Sequence, residues 1–162
     1  MEILNENIVI RDWLTFTTKK HTPQELIAYL GMSGCAWTEL TGWYGYKSRL
    51  YFGGISVHYD GQEGMGVCCE ISGSGCRSFE DYSTLAGKWD DLFAWIRGES
   101  LHITRFDVAY DDHTGILDID RIADDTEKQH FVSRLNAWKV TKSSDGTSVQ
   151  IGSSKSRTLI RI

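Results

Sequence analysis

The segment Ile103-Thr104-Arg105-Phe106-Asp107-Val108-Ala109-Tyr110-Asp111-Asp112 restricts the fold more than any other stretch of the chain. Bulky residues alternate with small or charged ones along it, the period of a strand. Arg105, Asp107, Ala109 and Asp111 therefore share one face, and Thr104, Phe106, Val108, Tyr110 and Asp112 the other. The second set has the content of a core face. The first puts an arginine and two carboxylates in line, about 7 Å apart per step of two residues. Charge in a run of strand formers is costly unless it is paired, hydrogen-bonded or bound to a metal. Two readings follow. One is an ordinary edge strand, its Arg105–Asp107 pair worth little. The other is a site.

Elements on either side of this strand can be read in order. Asn7–Thr17 predicts a strand with Asp12 as an edge charge. Thr22-Pro23-Gln24-Glu25 is a capping box with proline at the first helical position, and Gly31 ends the short helix it starts. Tyr44–Phe52, a Gly53-Gly54 turn and Ile55–Tyr59 read as a hairpin. A turn at Asp60–Gly64 leads to a third strand, Met65–Ser72, which carries Glu70. Gly73–Arg77 reads as a flexible turn. Within Phe79–Arg97, Tyr82, Leu85, Trp89, Leu92, Phe93 and Ile96 recur at steps of three and four, predicting one helix closed by Gly98. Beyond the charged strand at 101–111 come a short acidic helix from about Asp118 to Thr126 and a strand at Phe131–Lys142. A turn at 143–146, a strand at Ser148–Ile151, a polar loop at 152–157 and a strand from Thr158 to Ile162 complete the order β-α-β-β-β-α-β-α-β-β-β. Antiparallel runs with helices between them predict an α+β fold: one antiparallel β-sheet with helices packed on one face.

At 162 residues the chain is expected to form a single domain. No apolar run approaches the roughly 20 residues of a membrane span, and Met1–Glu6 is too polar to open a signal peptide. A cytoplasmic protein without membrane contact is the expectation. Cys35, Cys68, Cys69 and Cys76 form no C-x-x-C pair, so buried thiols fit better than a zinc site. Charge is uneven: residues 128–162 hold 7 Lys/Arg against Asp145 alone, whereas residues 1–127 hold 10 Lys/Arg against 21 Asp/Glu. A basic end on an acidic body is a candidate phosphate-contacting surface or simply a complement to the acidic part. The 6 tryptophans and 7 tyrosines supply core or, equally, stacking surfaces for bases.

There is no P-loop, dinucleotide fingerprint or nucleophile elbow. What remains is a carboxylate cluster: Glu70 on one strand, with Asp107 and Asp111 on another beside it in the central sheet, a set suited to Mg²⁺ or Mn²⁺. Such an ion would polarise a phosphodiester for attack.

Four segments carry a resemblance: Asp12-Trp13-Leu14-Thr15-Phe16, Glu70-Ile71-Ser72-Gly73-Ser74-Gly75-Cys76-Arg77, the charged strand itself, and Ile151-Gly152-Ser153-Ser154-Lys155-Ser156. In this order they resemble the replication initiation factors of the trans-acting Rep type, which serve rolling-circle plasmids, phages and conjugative elements of Gram-positive bacteria. The resemblance implies a sheet related to that of the His-hydrophobe-His (HUH) nucleases, in a ferredoxin-like arrangement. It also implies a metal-dependent relaxase or endonuclease that binds origin DNA, single-stranded or as a hairpin, and nicks one strand through a tyrosine. By the same resemblance Asp107, with Glu70 and Asp111, holds the metal, and Arg77, Arg105, Lys155, Arg157 and Arg161 contact DNA. Such proteins are often homodimers. Their tyrosine follows a segment like Leu159–Ile162 in an Arg-x-Tyr-x-Lys pattern, so residues 1–162 are expected to be an N-terminal portion, cut before the nucleophile and inactive in nicking. Two other readings stay open: a non-catalytic module that binds single-stranded nucleic acid, and a regulatory fragment acting through protein contacts.

Overall fold

The computed structural model describes residues 8–153 and 155–162; Asn7 of the expected first strand, the polar start Met1–Glu6 and Ser154 of the polar loop lie outside the described residues. Residues Val9–Asp111 form one compact unit, and Asp112–Ile162 the body of a second. The single domain expected from length is therefore two units.

In the first unit the elements are β1 (Ile8–Thr18), α1 (Pro23–Tyr29), β2 (Thr38–Thr41), β3 (Ser48–Phe52), β4 (Ile55–Tyr59), β5 (Val67–Ile71), α2 (Gly73–Tyr82), α3 (Trp89–Gly98) and β6 (His102–Asp111). The strands form one sheet in the order β2-β3-β4-β5-β1-β6. Strands β2 to β5 run as an antiparallel meander, and β1 pairs antiparallel with β5. The α+β architecture with helices on one face is what the sequence predicts.

Register decides what each face carries. Leu14 lies opposite Ile71, and Phe16 and Val57 lie on either side of Cys69. These residues are buried against Leu26, Leu30, Phe79, Leu92 and Ile96 of the helices. Each fully buried side chain of this size contributes on the order of 1.5–3 kcal/mol. The alternate residues (Thr15, Glu70, Ser56 and Tyr51; Cys68, His58 and Arg49) form the face that α1, α2 and α3 leave open.

Local chemistry explains the elements. Thr22 and Glu25 cap α1 reciprocally: the Glu25 amide donates to Thr22 Oγ1 (3.2 Å) and the Thr22 amide to Glu25 Oε2 (2.7 Å). Gly53 and Gly54, at φ 51° and 90°, make the β3–β4 turn. That turn docks on α2, where Ser72 Oγ donates to the Gly54 carbonyl (2.8 Å) and Ser78 Oγ to the Gly53 carbonyl (2.7 Å).

Several expectations change. The helix expected over Phe79–Arg97 is two helices, and α2 begins at Gly73, inside the expected flexible turn. Ser72 caps α2 through the Gly75 amide. The chain bends after Tyr82, where Ser83 Oγ donates to the Leu30 carbonyl (2.7 Å) and Thr84 donates through both its amide (3.0 Å) and Oγ1 (2.9 Å) to that of Gly31. The Asp91 carboxylate then accepts from the Gly87 amide at the start of α3. An additional strand, β2, forms an edge of the sheet, and the first hairpin arm is shorter than expected. Strand β1 is interior, so Asp12 is not an edge charge, whereas β6 is the edge. Phe106, Val108 and Tyr110 are accordingly half-exposed rather than core.

The second unit contains α4 (Ile119–Glu127) and the strands β7 (Trp138–Ser143), β8 (Gly146–Ile151) and β9 (Ile160–Arg161), in the sheet order β7-β8-β9. Its strands make a second sheet where one was expected. Phe131–Ala137 are irregular, and only the end of the expected Phe131–Lys142 strand pairs. Lys142 on β7 reaches Glu127 (3.5 Å) and Asp124 (3.6 Å) of α4, and Ala123 and Val149 are buried. Among the described residues no helix is long and apolar enough to cross a membrane.

Candidate nucleic-acid interface

The open face of the six-stranded sheet gathers arginines, aromatic rings and the part-buried carboxylates of Glu70 and Asp107. At its β6 side the Arg105 guanidinium lies 3.9 Å from the centre of the Trp13 ring, and Trp13 Nε1 donates to Thr15 Oγ1 (2.9 Å). Arg105 Nε donates to both Asp107 oxygens, at 3.0 and 3.1 Å, and this pairing pushes the Arg105 pKa up. Glu70 sits on β5, flanked by Thr15 of β1 and Ser56 of β4. Burial raises its pKa, against the opposing pull of Arg105 and then Arg49. Its charge therefore lies in the field of two guanidiniums on opposite sides.

Toward the other edge, Arg49 lies 3.8 Å from the Trp43 ring centre and 5.1 Å from that of Tyr51. Its Nη1 donates to Ser56 Oγ (2.9 Å) and its Nε to the Thr41 carbonyl (3.2 Å). Beneath the loop that carries Trp43, Tyr44 and Tyr46, His58 is fully buried with those rings 5.2–6.1 Å away. Neither of its ring nitrogens has a hydrogen-bond partner. Burial, then Arg49, lowers its pKa to about 4, so it stands neutral near pH 7. Cys68, directly across from His58, is pushed up to about 11 by burial and is an inert thiol at that pH. All four cysteines are free, and three of them are buried, as expected.

The candidate residues from the sequence are dispersed. Arg105 and Asp107 lie on the open face with Glu70, but β1 separates their strand from β5, so the carboxylates are not on neighbouring strands. Two strand steps are roughly 10 Å. Asp111 ends β6, and alternation gives it the same side as Asp107. Arg77 lies on α2, donating to the Arg11 carbonyl (2.8 Å) and to Glu80 Oε1 (3.1 Å). Lys155, Arg157 and Arg161 are exposed in the second unit. Among the described residues no three His, Cys, Asp or Glu side chains form a group able to hold a metal ion. With Asp107 gripped by Arg105, the donors as arranged do not fit Mg²⁺ or Mn²⁺.

Sequence reasoning passed over Arg49, Trp43 and His58. The alternation of Arg49 with Tyr51 two residues on, just after Trp43-Tyr44, was the available signal.

Comparison with known proteins settles the family. Residues 8–95 match the family described as the rolling circle replication initiation protein N-terminal domain. The chain belongs to the rolling-circle replication initiators. Residues 101–162 of this initiator chain match a second family, described as replication initiation factor. It is 31% identical over 156 residues to NicK, a candidate DNA relaxase of Bacillus subtilis (strain 168), an alignment covering 90% of this chain and 44% of the relative. A solved rolling circle replication initiator protein from Geobacillus stearothermophilus superposes with a TM-score of 0.84 at 27% identity, over 96% of this chain and 66% of its own. The initiator chain thus spans less than half of the first relative and about two thirds of the second.

Proposed function

We propose that this rolling-circle replication initiator chain seats one DNA strand of an origin on the sheet face left open by α1, α2 and α3. The observation that carries the reading is the composition of that face: guanidiniums laid on tryptophan rings at both sides of the half-buried Glu70 carboxylate. Arginine supplies charge for phosphates, and aromatic faces supply stacking for bases exposed only in a single strand. In the second unit, taken by itself, exposed Lys155, Arg157 and Arg161 are proposed phosphate contacts. Arg77 lies outside this set, because it is on α2, on the covered side of the sheet, and its guanidinium already serves Arg11 and Glu80.

The proposal covers the seating of a strand alone and assigns this chain no nicking, cation or dimerisation step; both relatives are longer than the chain. A Mg²⁺ or Mn²⁺ ion would have to displace Arg105 to reach Asp107, and we draw no step through one. The experiment is fluorescence anisotropy with a labelled single strand and its duplex over a salt series. Preference for the single strand, with affinity falling as salt rises, is expected. Equal or absent binding of the two would reject the reading.

A further inference from the structure

Three arginines of the first unit, Arg49 and Arg105 on the open face and Arg77 on α2, differ in what they have left to give. Arg105 is committed to Asp107, and Arg77 to Glu80 and a backbone carbonyl. Arg49 has no carboxylate within ion-pair distance among the described residues. Of its five N–H groups, one goes to Ser56 Oγ and one to the Thr41 carbonyl, which leaves three. The guanidinium is nevertheless fixed, held against Trp43 and Tyr51 and anchored at two points. Most of the entropy an arginine loses on gripping an anion has therefore been spent in the fold itself.

The surrounding loop points the same way. Tyr44 is 72% exposed at φ 56°, a backbone conformation unusual for a side chain of its size. Its ring stands edge-on to Trp43 (6.1 Å, 82°). Trp43 and Tyr51 are also more than a third exposed. Gly42 permits the turn, because a Cβ there would lie 2.7 Å from the Tyr46 carbonyl oxygen. Beneath, buried His58 fills the floor between the rings, so the loop rests on a solid base. A strained, exposed tyrosine beside an unpaired but immobilised guanidinium has little to do for stability.

Resting on the reading of the open face above, we propose that Arg49 with Trp43 and Tyr44 is a nucleotide-binding subsite, in which the Arg49 guanidinium takes a backbone phosphate of a single strand and the adjoining base stacks on the loop aromatics. It selects unpaired DNA, because the stacking faces of a base are covered in duplex. It places the strand at β3, one strand in from the β2 edge of the sheet, and directs it across Glu70 toward β6.

The test is anisotropy with fluorescein-labelled oligo(dT) over a salt series, on the intact chain and three variants. Arg49→Met should flatten the logarithmic salt slope by about 0.7, the value for one phosphate contact on a single strand. Arg49→Lys should keep the slope and lose affinity, since a point charge replaces the fixed fork. Tyr44→Asn, which tolerates the backbone conformation, should weaken binding on the order of tenfold with the slope unchanged. Arg49→Met and Tyr44→Asn that both bind like the intact chain would overturn the subsite and leave the open-face reading standing. An intact chain that does not bind oligo(dT) would overturn both. Tyr44→Asn lies in an exposed loop, so it remains decisive should Arg49→Met fold poorly.

Discussion

Arg105 grips Asp107, two residues further along the same edge strand, through both carboxylate oxygens. With the two side chains 47% and 37% exposed, the pair contributes at most about 1 kcal/mol to stability. Its effect on charge is larger: it neutralises an arginine on the face proposed above to seat a DNA strand. Asp107→Asn is therefore expected to leave thermal unfolding nearly unchanged, tighten single-strand binding and steepen the logarithmic salt slope by about 0.7. Weaker binding by Asp107→Asn, with Mn²⁺ tightening the unsubstituted chain and not the variant, would instead make Asp107 a metal ligand.

His58 makes stability depend on pH in a definite direction. Its pKa falls from an ordinary 6.5 to about 4 in the folded chain, so between these values the unfolded state binds the extra proton. Stability from this residue is complete above pH 6.5 and is lost as pH falls toward 4, a difference of up to about 3 kcal/mol. Urea midpoints at pH 7.5 and 4.5 should fall further apart for the unsubstituted chain than for His58→Leu. Equal gaps would mean that the ring is solvated.

The β3–β4 turn is a test of the docking between the turn and α2. A Cβ on Gly54, at φ 90°, would lie 2.3 Å from Ser74 Oγ and 2.5 Å from the Gly75 amide nitrogen. Gly54→Ala should destabilise the chain by about 1–3 kcal/mol in urea denaturation. The exposed Gly98, where an added Cβ meets nothing within 4 Å, provides the control: Gly98→Ala should be neutral or mildly stabilising.

In the second unit Lys155 and Arg157 project from the loop closed by the Ser153–Ser156 contact. Replacing both with alanine is expected to flatten the single-strand salt slope by about 1.4, with no change in unfolding temperature. An unchanged slope removes them from the interface.

Much of the meander was legible because its information is local. Gly53-Gly54 between alternating runs marks a hairpin, and Thr22 with Glu25 marks a helix start. The bend between α2 and α3 was hidden because the apolar stripe from Tyr82 to Ile96 continues across it, while the cause of the bend, Leu30 and Gly31 accepting from Ser83 and Thr84, lies 53 residues away. The candidate site was half legible for a similar reason. Arg105 and Asp107 alternate on one strand, so their shared side can be read directly. The insertion of β1 between β5 and β6, which separates Glu70 from Asp107, is a matter of strand order, and no periodicity encodes it. Arg49 comes into the field of Glu70 only through the pairing of β3 with β4 and β4 with β5.

Ser83 and Thr84 carry a mechanical consequence. Flexing the bend they occupy would break three hydrogen bonds to the end of α1 at once, so the helices behind the sheet behave as a single backing plate. A sheet so braced cannot readily change its twist when its front is loaded. The interval between the β3 and β6 arginines is then a fixed gauge, and a polymer seated as proposed would have to adjust its stride to it.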